Sequence, residues 1–179
     1  MITVSEKKTT KPDSFETGLQ KRVYEVLDEL NIYFERVDND PAITMEDCIL
    51  IDSTLDVKTV KTLCVCNRQQ TMFYLFVTTA DKPFSTKQFG SELGISRVSF
   101  APEAKLHELL DTEIGATTFF SLLLETAKNV MLVIDNDVLK EEYYGCTDGT
   151  TTSYMKLKTA DVLEKLIPYT GHTYMTIDM

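Results

Sequence analysis

The stretch KTVKTLCVCNRQQTMFYLFVTT, residues Lys58 to Thr79, contains two runs rich in β-branched and aromatic residues on either side of the short polar segment NRQQ. The loop is short enough for a hairpin, so Lys61–Cys66 and Thr71–Thr78 are expected to be antiparallel neighbours. Folds built on parallel crossovers with a phosphate loop do not offer such a pair. The chain also lacks GxGxxG and GxxxxGK[ST], which excludes an ordinary Rossmann or P-loop protein. Lys61 stands where the first run turns apolar. Strand-end lysines are usually solvated, so a cation at this position has to be explained.

Outward from the hairpin, the pattern alternates helices and strands without repeats or a linker. Phe15, Leu19, Val23, Val26, Leu27 and Leu30 recur at helical spacing, and Asp13 and Glu16 form a candidate capping pair, predicting a helix over 14–30. IYFERV reads as a strand, DNDPAIT as a turn around Pro41, and TMEDCILI as the start of a short helix. Ser85 and Gln88 have capping spacing and Gly94 stands at the expected C-cap, predicting a helix over 86–93. Pro102 can open a helix through EAKLHELL. VMLVID, EEYYG and TSYMKL read as strands, and a helix from Ala160 to Leu166, capped by Thr159, closes the pattern. Both termini are polar and expected to fray. About six strands with interspersed helices define a single-domain α/β (α+β) protein, a mixed central sheet surrounded by helices.

Composition narrows the function. At 179 residues the chain suits one domain; 43% hydrophobic and 26% charged residues are ordinary for a globular protein. No apolar run nears the roughly 20 residues of a membrane span, and the N-terminus lacks a signal-peptide core, so a cytoplasmic protein with no membrane partner is expected. Cys48, Cys64, Cys66 and Cys146 are expected to be reduced, buried small hydrophobes, and the CxC pair lacks the partners of a zinc site. His107 and His172 are the only histidines, and there is no GxSxG elbow, so a Ser-His-Asp triad has poor material. No cofactor is expected. A formal charge of −10 argues against coating DNA or RNA but permits a grip on one short end.

The segments VYEVLDELNI, DNDPAITMED, VKTLCVCNRQQTMFYLF, DKPFSTKQFGSELGISRVSFA, IGATTFFSLL, VMLVIDNDVL and YYGCTDGTTTSYMKLKTADVLEKLIP occur in an order and spacing that resembles the YbaK/ProX family of prolyl-tRNA editing domains. The likeness is greatest to the alanyl-tRNA(Pro) deacylase (PrdX-like) branch. It spans about residues 14–168, leaving 1–13 as a flexible segment and 169–179 as a tail. The resemblance implies a trans-acting aminoacyl-tRNA deacylase whose partner is the CCA end of tRNA, with prolyl-tRNA synthetase as a further candidate partner. A catalytically silent binding module is the alternative.

On that resemblance Lys61 matches the family's functional lysine, at the head of Lys61-Thr62-Leu63, and would hold the phosphate or terminal adenosine. An ammonium is a compact point charge suited to this task. Gly115-Ala116-Thr117 matches the family's glycine loop, which lies against the aminoacyl ester; a glycine permits close backbone approach. Ile43, Met45 and Phe119 are candidates for a small pocket that rejects larger amino acids by clash. Thr62 stands where the family often has Asn, Asn39 near a common His, Phe119 for a Pro after the glycine loop, and Thr147-Asp148 for a His-Pro pair. Thr152 fits the polar step that follows. If this last segment faces the adenosine, Asp148 repels phosphate, and Thr147→His with Asp148→Pro is expected to raise deacylation.

Overall fold

The computed structural model describes residues 1–179. Helix α1 (Gly18–Glu29) leads to β1 (Glu35–Asp38) and α2 (Cys48–Leu55), followed by the hairpin β2 (Val60–Cys66) and β3 (Phe73–Thr79). Then come α3 (Thr86–Leu93), β4 (Ser99–Phe100), α4 (Glu103–Leu110), 3-10 turns at Phe119–Leu123 and Glu125–Ala127, β5 (Met131–Asp135), α5 (Asn136–Leu139), β6 (Tyr143–Thr147) and β7 (Ser153–Lys158). The chain closes with α6 (Thr159–Asp161), a π-turn (Val162–Leu166), α7 (Ile167–Tyr169) and β8 (Tyr174–Ile177). The strands form two sheets, an antiparallel β1-β7-β6 and a mixed β4-β2-β3-β5-β8. The hairpin pairs as expected, with Lys61 opposite Thr78 and Cys66 opposite Phe73.

Period-2 patterning assigns the faces of the larger sheet. Cys64, Leu75, Val77, Leu132 and Ile134 turn inward to a core shared with Leu19, Val23 and Leu27 of α1 and with Tyr144, Cys146, Met155 and Leu157 of the smaller sheet. Val65, Tyr74, Phe76 and Val133 turn outward and are covered by Phe89 of α3. Both faces of the central strands are thus buried, which is why VMLVID and FYLFV read as continuous apolar runs. Each fully buried side chain of this kind contributes about 1.5–3 kcal/mol.

Several local expectations are corrected. Helix α1 starts at Gly18 because Thr17, in an extended conformation, takes the N-cap and accepts from the Gln20 N–H (3.0 Å), while the Gln20 side chain accepts the Glu16 N–H (2.7 Å). The Asp13/Glu16 pair therefore plays no capping part. Helix α3 has both expected ends: Ser85 Oγ accepts from the Gln88 N–H (3.1 Å), and Gly94 adopts φ +66°. Thr159 is not a cap. It is the first residue of α6, and its buried hydroxyl has no partner. The π-turn that follows precedes Pro168, whose missing N–H and bulky ring are incompatible with a regular α-turn.

Both terminal segments pair with strands. Residues 3–8 run along β1, with reciprocal Lys8–Arg36 backbone hydrogen bonds of 2.8 Å and Ser5 N–H donating to the Asp38 carbonyl at 2.8 Å. Residues Tyr174–Ile177 form β8, parallel to β5, and bury Ile177. Together with the two-residue β4, this makes eight strands where about six were expected. All four cysteines are free and buried, and no helix is long and apolar enough to cross a membrane.

The two sheets touch edge to edge through one bridge, Thr59 to Gly145. A Cβ at Gly145 would lie 2.8 Å from Val57 Cγ1 and 3.1 Å from the Lys58 carbonyl oxygen, so the seam closes only around a glycine. Beyond it the sheets diverge, and the gap between them opens beside Lys61 and Thr62.

Candidate active site

That gap is a cleft of about 430 Å³. One wall is Thr59 with β2 as far as Cys64, and the facing wall is Ile43–Met45 with the loop Ile114, Gly115 and Thr117. Cys48, Cys146, Thr147 and Tyr154 form its inner end, and Phe100, Ala101 and Leu106 complete the lining. No aspartate, glutamate or histidine lines it, and Lys61 is its single charged residue.

Lys61 is half-buried and makes no ion pair. Its Nζ donates to the backbone carbonyl of Lys82. Burial pulls its pKa below the ordinary lysine value, and the nearby Asp81 opposes that shift. The neighbouring Lys82, in contrast, is held by Asp135 (2.8 Å) and Asp137 (2.7 Å). A carbonyl positions the Lys61 ammonium without neutralising it, so its charge stays available to an anion.

The backbone of β2 adds a second device. On the edge away from β3, the Cys64 carbonyl accepts from the Ala101 N–H (2.9 Å), and Thr59 bridges to Gly145. Strand polarity repeats every two residues, so Thr62 turns its N–H and C=O to this edge, where neither β4 nor β6 reaches it. The edge is covered above and below and open at one peptide, which lies in the cleft.

Across the cleft Gly115 has φ +91°. The Ala116 N–H is committed to the Glu113 carbonyl (3.0 Å), whereas the N–H groups of Gly115 and Thr117 have no protein partner. A Cβ on Gly115 would stand 3.1 Å from Ile43 Cα and 3.3 Å from Ile43 Cγ2. Gly115→Ala should therefore displace this loop and lower deacylation kcat by about tenfold or more, with the fold intact by circular dichroism; unchanged kcat would show that the loop is not part of the site.

The thiols at the inner end are poor nucleophiles. Burial pushes Cys48 up to about 11 and Cys64 to about 12, and drives Cys146 well above its ordinary value. What remains is one cation, an open strand peptide and a loop of free N–H groups around an apolar hollow. Such an arrangement can hold an anionic ligand and polarise a carbonyl, leaving water as nucleophile.

Of the residues named for the site on the resemblance, Lys61, Thr62, Gly115, Thr117, Thr147, Ile43 and Met45 meet in the cleft. The others do not. Ala116 is fully buried, and Phe119 is a core residue packed against Phe120 and Tyr144 at centroid distances of 4.4 and 5.3 Å. Asn39 donates to the carbonyls of Asp40 (2.8 Å) and Thr151 (3.0 Å), and Thr152 donates to Glu16 (2.7 Å); neither lines the cleft.

Thr147 and Asp148 need a larger correction. The Thr147 hydroxyl is committed to its own turn, donating to the Thr150 carbonyl and accepting from the Gly149 N–H (3.2 Å). Asp148 is fully buried on the α1 side and does not oppose Lys61. Its Oδ2 accepts from Gln20 (3.0 Å) and the Tyr24 hydroxyl (2.7 Å), and its Oδ1 from the Thr150 N–H (3.2 Å) and hydroxyl (2.8 Å). Desolvation raises its pKa despite these donors. A proline at 148 would also remove the N–H that donates to the Ser153 carbonyl (3.3 Å). The His-Pro substitution is therefore expected to damage the fold and not to raise activity. Phe100, Ile114, Cys48, Cys146 and Tyr154 were missed as lining residues, because no local pattern relates them to Lys61.

The sequence profile of the aminoacyl-tRNA editing domain matches residues 41–165. The chain belongs to that family, and it is an enzyme of the aminoacyl-tRNA deacylase class. Among curated relatives, the prolyl-tRNA editing protein ProX of Acetoanaerobium sticklandii is 27% identical over 153 residues, covering 86% of this chain and 93% of the relative. A prolyl-tRNA synthetase associated domain-containing protein 1 of Danio rerio is 26% identical over 157 residues, covering 87% and 84%. Among solved structures, one described as a candidate trans-editing enzyme for prolyl-tRNA synthetase superposes with TM-score 0.65 at 16% identity, over 92% of this chain and 99% of the other, a likeness of fold.

Proposed function

We propose that the protein is a trans-acting deacylase of mischarged tRNA(Pro), with alanyl-tRNA(Pro) as its preferred substrate and prolyl-tRNA synthetase as the enzyme whose errors it corrects. The observation that carries this reading is the cleft itself, where one cation without an acidic partner faces a glycine loop with free N–H groups. In this reading Lys61 holds a phosphate of the CCA end, the open peptide of Thr62 binds a ribose hydroxyl, and the N–H groups of Gly115 and Thr117 polarise the ester carbonyl. With no acid or histidine in the lining, the attacking water is activated by position and by the ribose hydroxyl of the substrate. Ile43, Met45, Cys48 and Tyr154 line the cleft, and in this reading they select a methyl side chain by clashing with larger ones. The alternative of a silent binding module rests on the departures at Thr62, Asn39, Phe119 and Thr147-Asp148; burial of Asp148 outside the cleft takes away only the repulsion of phosphate expected from it.

The test is release of free amino acid from alanyl-, cysteinyl- and seryl-tRNA(Pro) incubated with the protein. Fastest release of alanine is expected, and no release from any of them would overturn the reading. A second prediction follows from the net charge of −10. A grip on the unpaired end alone should let an acceptor-stem minihelix compete about as well as whole tRNA, with log K falling against log salt at a slope of about −1. A slope several-fold steeper, with a minihelix that fails to compete, would require an extended basic groove.

A further inference from the structure

Phe100 is 59% exposed although it lies on a strand and lines the cleft. It is the outermost ring of an aromatic series that begins in the core. Phe76 and Phe89, both fully buried, meet at a centroid distance of 5.1 Å; Phe84 packs on Phe89 at 5.8 Å; and Phe100 packs on Phe84 at 5.6 Å with the ring planes at 59°. One side of the Phe100 ring is thus fixed by the molecule while much of its surface remains in water. An exposed phenyl group costs free energy of hydration, so a rigidly backed one at a cleft rim suits a planar apolar partner.

The position of Lys61 indicates which partner. Phe100 lies opposite Val65, and Val65, Leu63 and Lys61 share one face of β2. Leu63, between cation and ring, also lines the cleft. Moreover, the carbonyl that holds the Lys61 ammonium belongs to Lys82, two residues before Phe84, so a single loop fixes both the cation and the ring behind Phe100. A point charge and an aromatic face on one rim match the two recognisable parts of a nucleotide, its phosphate and its base.

We infer that Phe100, backed by Phe84, is a stacking platform for a nucleobase of the unpaired 3′ end of the tRNA, beside the phosphate held by Lys61. This rests on the deacylase reading above but adds a subsite which that reading does not contain. Stacking of this kind is sequence-tolerant and acts on ground and transition states alike. Phe100→Ala should therefore raise KM for aminoacyl-tRNA by roughly 5- to 100-fold with kcat within about twofold, and Phe100→Tyr should restore KM.

The chain has no tryptophan, so Phe100→Trp supplies a unique fluorophore at the platform. Saturable quenching by the trinucleotide CCA, without quenching by ribose 5-phosphate, is expected. No quenching by CCA, equal quenching by ribose 5-phosphate, or an unchanged KM in Phe100→Ala would each overturn the inference. The quenching needs no turnover, so it remains readable if the parent protein releases no amino acid, the outcome that defeats the deacylase reading separately.

Discussion

Replacing Lys61 by alanine is expected to lower kcat/KM for deacylation by about 10²–10³-fold, the scale of losing one charged contact that holds the substrate with its ester in place. The melting temperature should stay within about 2 °C, because the side chain is half-buried, makes no ion pair and gives up a single hydrogen bond to a carbonyl. Lys61→Met retains most of the stem and removes the charge. It should be as inactive as Lys61→Ala, separating electrostatics from packing. Lys61→Arg should recover only part of the activity, since a planar fork does not reproduce an ammonium seated on one carbonyl. Steady-state kinetics with one aminoacyl-tRNA checks all three variants, and near-parental activity in Lys61→Met would remove the lysine from the mechanism.

The second large effect concerns stability. Asp148 accepts four hydrogen bonds, two at each oxygen, from Gln20, Tyr24 and Thr150. A carboxylate is an acceptor at every lone pair, whereas asparagine presents an NH2 group at one of the two positions. Asp148→Asn therefore sets donor against donor for at least one of the four contacts in a fully buried site, since the N–H of Gln20 or of Thr150 cannot turn to accept as a hydroxyl can. The expected cost is about 2–4 kcal/mol, which in a domain of this size lowers the melting temperature by roughly 5–12 °C. Deacylation by the folded fraction should be little changed, because Asp148 does not line the cleft. A thermal melt paired with kinetics below the transition decides the point. A stable variant with altered KM would put the residue back in the binding site.

Asp148 also marks the limit of reading by family position. In the linear sequence it occupies a place that the resemblance assigns to the adenosine. In the folded chain the turn Thr147–Thr150 closes on its own hydroxyls and carbonyls, and the carboxylate is captured by α1, which lies more than a hundred residues away in sequence. A local change of residue type had a distant partner that no local pattern reveals.

By itself the sequence determined the elements whose causes are local. The β2–β3 hairpin followed from runs rich in β-branched and aromatic residues around a short polar turn, and α3 from a serine cap and a left-handed glycine nine residues apart. These signals act between residues close in the chain, so they survive without the fold. The order of segments also identified the family, and the resemblance named Lys61 and Gly115 as site candidates. Tertiary structure alone decided the rest. Strand β8 exists because β5 offers an edge for YMTI to pair with, and the two-residue β4 exists because it covers β2. The cleft depends on a seam of one bridge at Gly145 that leaves the Thr62 peptide open, and the setting of Lys61 depends on a carbonyl 21 residues further along the chain. Whether a strand edge is covered, or a charge paired, depends on what folding brings beside it.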